Sequence, residues 1–169
     1  VAHLGRSLGM NVIAHDPYVH PGSRKSSHAT LVDLDTLLTT SDFVSIHVPE
    51  TDETIGLLGR ESLAKMRTGA YLVNVTSPAI VDRDALVEAL QTSKLGGAGM
   101  DVHDSHPLAP NSPFIGISNV LLTPHIGGAT IETIERHSTM AAEDLHRFAR
   151  GLKPKHLANP AVWARRRKL

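Results

Sequence analysis

The chain is expected to be an α/β protein built on a parallel, doubly wound sheet, and three observations lead there. Short apolar runs alternate along the sequence with stretches of helical periodicity. The runs are almost continuously apolar, which suits strands covered on both faces. The connections are short, which favours right-handed βαβ units. Residues 1–8 read as a helix closed by Gly9, a residue suited to the left-handed position after a helix end. Residues 10–14 form the first strand candidate, and 43–46, 70–75, 97–100 and 120–122 the other four. Short helices are expected at 31–40 and 60–66. A longer one is expected at 82–93, where Leu86, Val87 and Leu90 continue the apolar face begun by Ile80 and Val81. Asp82 and Asp84 lie at its positive end. The stretch 105–118 is a long Pro- and Ser-rich loop, and such loops often carry function. The last helix, 131–150, carries Ile134, Met140, Ala141, Leu145 and Phe148 and stops before Gly151.

Composition narrows the function classes. With 169 residues, 41% hydrophobic and 20% charged, the chain can bury a core of its own. Its 17 basic and 17 acidic residues balance, which argues against nucleic-acid binding. No apolar run approaches the roughly 20 residues of a membrane span, so no membrane partner is expected. The absence of cysteine excludes disulfides and thiolate metal sites and suits a reducing, cytoplasmic setting. The first residue, Val1, falls inside a predicted helix, so a segment upstream is expected. The basic tail, 164–169, reads as solvated.

In a doubly wound sheet, ligands bind beyond the carboxyl ends of the strands. The residues there are His15-Asp16-Pro17, His47-Val48-Pro49, Val75-Thr76-Ser77, Asp101-Val102 and Thr123-Pro124-His125. Asp16 is placed to accept from both ribose hydroxyls of an adenine nucleotide and to repel a 2′-phosphate, favouring NAD over NADP. Asp16-Pro17 equally suits the opening of a turn. No glycine-rich phosphate loop accompanies it, because Gly5 and Gly9 lie within and after a helix rather than between strand and helix.

Five segments taken in order resemble the D-isomer-specific 2-hydroxyacid dehydrogenases, a family that includes phosphoglycerate dehydrogenase. They are residues 9–18, residues 41–49 with Thr51 and Thr54, residues 72–75, residues 100–102, and Leu122-Thr123-Pro124-His125-Ile126-Gly127-Gly128-Ala129-Thr130. An Asn159-Pro160 segment near the end is also similar. The resemblance implies a Rossmann-type fold lacking its first strand and glycine-rich loop. Residues 1–151 would form the dinucleotide-binding domain, and 152–169 would return toward a substrate domain. It implies NAD as cofactor, a small 2-hydroxy or 2-keto acid as substrate, and a homodimer. Asp16 and Pro17 would meet the adenosine ribose, with His47, Val48, Pro49 and Thr54 on the adenine side. Val75, Thr76 and Ser77 would line the nicotinamide ribose region and Asp101 the carboxamide. His125 would exchange a proton with the substrate oxygen, while Gly127 and Gly128 would let backbone approach the dinucleotide. Outside this context His125 would read as a capping or core histidine.

The sequence departs from the family at two catalytic positions. The family's arginine is here Ser77, followed by Pro78, and one neutral hydroxyl replaces a bidentate guanidinium. The family's glutamate, which orients the catalytic imidazole, is here His106, followed by Pro107. Asp104 is a candidate substitute carboxylate. These changes leave a second expectation open, a catalytically impaired NAD-binding homologue serving as sensor or assembly subunit. His103 and His106 form a His-x-x-His pair, but two ligands from one loop fall short of a metal site, and none is expected. The remaining histidines, His3, His20, His28, His137, His146 and His156, are expected at the surface.

Overall fold

The computed structural model describes residues 1–20 and 28–165. The last four residues of the basic tail, Arg166 to Leu169, lie outside the described residues. The chain divides into two units, Val1–His125 and Ile126–Leu169.

In the first unit, α1 (Ala2–Ser7) ends at Leu8, and Gly9 takes a φ of +81° that a side-chain-bearing residue rarely adopts. β1 (Ile13–Ala14) follows and pairs in parallel with β2 (Thr30–Leu31). The first strand is thus shorter than its apolar run suggests, since Met10 is half exposed. β2 was not expected, because two residues are too few to show a period.

α2 (Leu34–Thr40) is capped by Asp33, whose carboxylate accepts from the Thr36 amide. β3 (Phe43–Ile46), β4 (Tyr71–Asn74), β5 (Gly97–Met100) and β6 (Val120–Leu122) form one parallel sheet in sequence order. Among the described residues no ladder joins this sheet to the β1–β2 pair. α3 (Arg60–Lys65) connects β3 to β4, and α4 (Arg83–Gln91), capped by Asp82, connects β4 to β5.

Registration makes two rows across the sheet. Val44, Leu72, Ala98 and Val120 lie side by side, as do Ile46, Asn74, Met100 and Leu122. The first three of each row are buried. All of these but Asn74 pack with Leu38 of α2, Leu63 of α3, and Leu86 and Leu90 of α4 in one core. The other face carries exposed Phe43, Tyr71 and Leu121, so the burial expected on both faces is seen on one. All three helices pack into the same core, and alternation along each strand turns every second residue away from it. β5 is glycine-rich because its start is crowded. A Cβ on Gly96 would stand 2.4 Å from the Gly69 carbonyl oxygen.

In the second unit, α5 (Ile131–Ala149) begins at Thr130, whose hydroxyl accepts from the Thr133 amide. Its Ile131, Ile134 and Leu145 are exposed. A short α6 (Val162–Arg165) closes the described chain.

Candidate active site

Because β3 to β6 run parallel, the segments that follow them emerge at one edge of the sheet. The site candidates of the first unit on these strands gather there.

After β3, His47 is exposed, but the protein atoms around its ring partly desolvate it and hold its imidazole below the usual histidine range. Its Nε2 lies 2.9 Å from the Ser45 hydroxyl. Val48 packs against the core. Thr54 braces the loop, its hydroxyl donating to the Pro49 carbonyl at 2.6 Å and accepting from the Thr51 amide at 2.8 Å.

After β4, Asn74 organises the backbone. Fully buried, it donates from Nδ2 to the Ser77 carbonyl at 2.8 Å and accepts on Oδ1 from the Thr76 amide at 3.1 Å. Val75 is thereby left exposed and Ser77 is turned inward, only 6% exposed. Ser77 caps a short 3-10 turn, Pro78–Ile80, its oxygen accepting from the Ala79 amide at 3.2 Å. Its O–H donates to the Glu50 carboxylate. Neither Asn74 nor Glu50 was singled out from sequence. The Asn sits in an apolar strand run, where an amide is costly unless satisfied, and that is a usable signal for it.

After β5 and β6 comes a linked polar set. Buried Asp101 accepts from the Thr123 hydroxyl at 2.6 Å. Buried His103 faces the Thr123 carbonyl through Nε2 at 2.8 Å. A carbonyl only accepts, so this nitrogen carries the proton. Nδ1 is then a bare acceptor when the ring is neutral, and it is buried without a partner. The Nε2 contact orients His103 toward backbone, and among the described residues no three His, Asp or Glu groups gather as metal ligands. His125 has φ +57°, a left-handed conformation uncommon outside glycine. Its Nδ1 lies 3.2 Å from His106 Nε2, with ring centroids 4.7 Å apart. Both side chains are exposed. Asp104 faces Arg83 at 3.5 Å.

At the end of β1, Asp16 is exposed, and its Oδ1 accepts from the Tyr18 amide at 2.9 Å, so the residue does open a turn. Pro17 is exposed beside it. The Tyr18 hydroxyl donates to Glu53, tying this turn to the loop after β3. That carboxylate raises the phenol above its usual range. Gly127 and Gly128 belong to the second unit, and a Cβ on Gly128 would meet nothing within 4 Å. His3, His20, His28, His137, His146 and His156 are all exposed.

A cavity of about 170 Å³ lies under the long loop, walled by Val81, Leu86, Met100, His103, Leu108 and Phe114 among others. Asp16, Ser77 and His125 are not among its walls.

Comparison with known proteins accords with this arrangement. Residues 1–127 match the family model described as D-isomer specific 2-hydroxyacid dehydrogenase, NAD binding domain. The chain is 40% identical over 159 residues to D-3-phosphoglycerate dehydrogenase of Archaeoglobus fulgidus, covering 94% of this chain and 30% of that protein. It is 43% identical over 162 residues to glyoxylate reductase of Aeropyrum pernix, covering 96% and 48%. The structure of the TT0316 protein from Thermus thermophilus superposes with a TM-score of 0.85 at 40% identity, over 94% of this chain and 49% of that one. An NAD-complexed D-isomer specific 2-hydroxyacid dehydrogenase from Lactobacillus delbrueckii gives 0.83 at 29%, over 94% and 51%. The chain thus spans 30% to 51% of the length of these relatives.

Proposed function

The chain belongs to the D-isomer-specific 2-hydroxyacid dehydrogenase family, as its NAD binding domain, and from that premise we propose an NAD-dependent oxidoreductase acting on a small carbonyl or hydroxy compound of the 2-keto or 2-hydroxy acid type. The contact between His125 Nδ1 and His106 Nε2 carries this reading, because it holds an imidazole at the carboxyl edge with its other nitrogen left for a substrate.

The donor set fits the cofactor. Asp16 is an exposed carboxylate at the carboxyl end of β1 and suits a ribose diol, which is a double donor. Pro17, His47, Val48, Pro49 and Thr54 would bound the adenine side, Val75, Thr76 and Ser77 the nicotinamide ribose, and Asp101 the carboxamide. By likeness to the family, Gly127 and Gly128 would let backbone approach the dinucleotide. NAD, when bound, supplies the acceptor or donor of hydride.

His125 handles the proton. With His106 Nε2 accepting, His125 Nδ1 carries hydrogen, and a neutral His125 then presents a bare Nε2 that takes a hydroxyl proton during oxidation. Protonated at Nε2, it returns that proton to the oxygen during reduction. His106 occupies the place of the family's glutamate as the orienting partner, a neutral acceptor in place of a carboxylate. Its weaker bond to a charged His125 lowers the rate without removing the proton path.

Residues 1–151 are read as the dinucleotide-binding domain, and 152–169 as a segment following it. A homodimer in the cytoplasm accompanies this reading by likeness to the family. Among the described residues, no helix is long and apolar enough to cross a membrane. Calorimetric titration with NADH tests the reading. Binding in the micromolar range is expected, and none at millimolar NADH overturns it. Light scattering reads the dimer.

A further inference from the structure

The φ of +57° at His125 lies in the left-handed region, which a side-chain-bearing residue keeps only where its surroundings fix it. Its amide donates to the Thr123 carbonyl at 3.0 Å, closing a three-residue turn around Pro124. The proline ring fixes the φ between them. The position of His125 is therefore set by the position of Thr123.

Thr123 is pinned through three atoms. Its amide donates to the Met100 carbonyl at 3.0 Å, and its hydroxyl donates to Asp101 at 2.6 Å. Its carbonyl accepts from His103 Nε2 at 2.8 Å. A carbonyl oxygen has two lone pairs, so the same oxygen serves His103 and closes the His125 turn. The first of these contacts continues the strand ladder, and the second uses a residue read above as facing the nicotinamide. The third comes from a group with no role in the chemistry so far.

His103 is a costly residue for its position. It is buried, its Nδ1 has no hydrogen-bond partner, and it shares a cavity wall with Leu86, Met100 and Phe114. An unsatisfied buried nitrogen disfavours the folded state, and an apolar ring of similar size would remove that penalty. The gain that offsets it is the Nε2 bond. His125 also has special need of backbone support, because its ring is oriented by neutral His106 and not by a carboxylate.

We propose that His103 is a positioning residue for the reaction, its Nε2–H holding the Thr123 carbonyl and, through it, the left-handed backbone that presents the His125 imidazole. The proposal rests on the oxidoreductase reading above and adds a residue to it.

Two variants of the full-length protein separate positioning from packing. His103→Phe keeps a ring among apolar neighbours and removes the donor, whereas His103→Gln keeps an N–H donor. With NADH saturating and glyoxylate as probe, His103→Phe is expected to lower kcat at least tenfold, since a displacement of about 1 Å costs up to about a hundredfold. The dissociation constant for NADH should stay within about twofold. The urea midpoint should hold or rise, because the Thr123 carbonyl keeps the His125 amide and the orphaned nitrogen is gone. His103→Gln should keep kcat within about threefold. In protein labelled with 15N-histidine, hydrogen exchange at the His125 amide should quicken at least tenfold in His103→Phe and not in His103→Gln.

An unchanged kcat in His103→Phe overturns the proposal, as does a loss that tracks a lowered urea midpoint or appears equally in His103→Gln. If glyoxylate is not reduced at all, the His125 exchange rates decide. Faster exchange in His103→Phe alone supports the proposal, and equal rates in all three proteins overturn it. NADH binding with equal exchange rates sinks the positioning role alone, whereas failure to bind NADH sinks the oxidoreductase reading with it.

Discussion

Replacing Asn74 with alanine is expected to destabilise the protein by about 2–4 kcal/mol, the sum of two stranded backbone groups at roughly 1–3 kcal/mol each with one partly relieved by water. The residue lies in a row of the sheet between Ile46 and Met100, fully buried, where an amide survives only by being satisfied. Its Nδ2 satisfies the carbonyl of buried Ser77, and its Oδ1 the amide of half-buried Thr76. Loss of the first leaves an acceptor out of reach of solvent, while the second can turn to water and sits at the low end. Urea unfolding followed by circular dichroism reads the loss. With a slope of about 2 kcal/mol/M, the midpoint should fall by about 1–2 M. Asn74→Asp, close in size, keeps the acceptor for Thr76 but sets a carboxylate against the Ser77 carbonyl, and should be at least as damaging as alanine. A loss under 1 kcal/mol for alanine, or an Asp variant as stable as the original, would refute the view that this amide holds the loop bearing Ser77.

The other expectations concern the imidazole pair, the crowded glycine, the core and pH. His106→Glu combined with Ser77→Arg should raise kcat/KM for glyoxylate at least tenfold over the unmodified protein, through a charge-assisted bond to His125 and a bidentate anion clamp; steady-state NADH oxidation measures it, and no gain would place the lesion elsewhere. Gly96→Ala should cost more than about 1 kcal/mol, because its Cβ would stand 2.4 Å from a backbone oxygen that cannot swing aside; denaturant titration checks this, and a neutral result would show that β5 can shift. Leu86→Ala, at a fully buried position on α4, should cost about 2–5 kcal/mol by the same assay. Partial desolvation lowers His47 below its unfolded value, so the unfolded chain takes up that proton first on acidification. Stability from this group is therefore intact above about pH 6.5 and falls as pH drops through that value. Unfolding midpoints from pH 8 to 5 should show a shallower decline in His47→Gln, and an unchanged slope would assign the effect to another group.

Much of the frame was legible in the sequence because it depends on neighbours along the chain. The helices at 82–93 and 131–150 appear as Arg83–Gln91 and Ile131–Ala149, with Asp82 and Thr130 as caps. Capping and periodicity act over three or four residues, so a linear reading captures them. The strands at 43–46, 97–100 and 120–122 fall where their apolar runs lie, and the carboxyl-end rule then named His125 and Asp101 before any coordinate. The two-residue β2 escaped for the opposite reason, since its pairing with β1 is set by the sheet and not by its own residues.

The sequence by itself therefore determined the main strands, the two longest helices and the edge at which chemistry gathers. It also showed that a serine and a histidine stand where an arginine and a glutamate are expected. Only the tertiary structure decided what those two residues do. Ser77 gives its one hydrogen to a carboxylate 27 positions away, and His106 meets an imidazole 19 positions away. Such contacts depend on how two loops converge after separate strands are laid side by side, and no local periodicity or propensity encodes that distance.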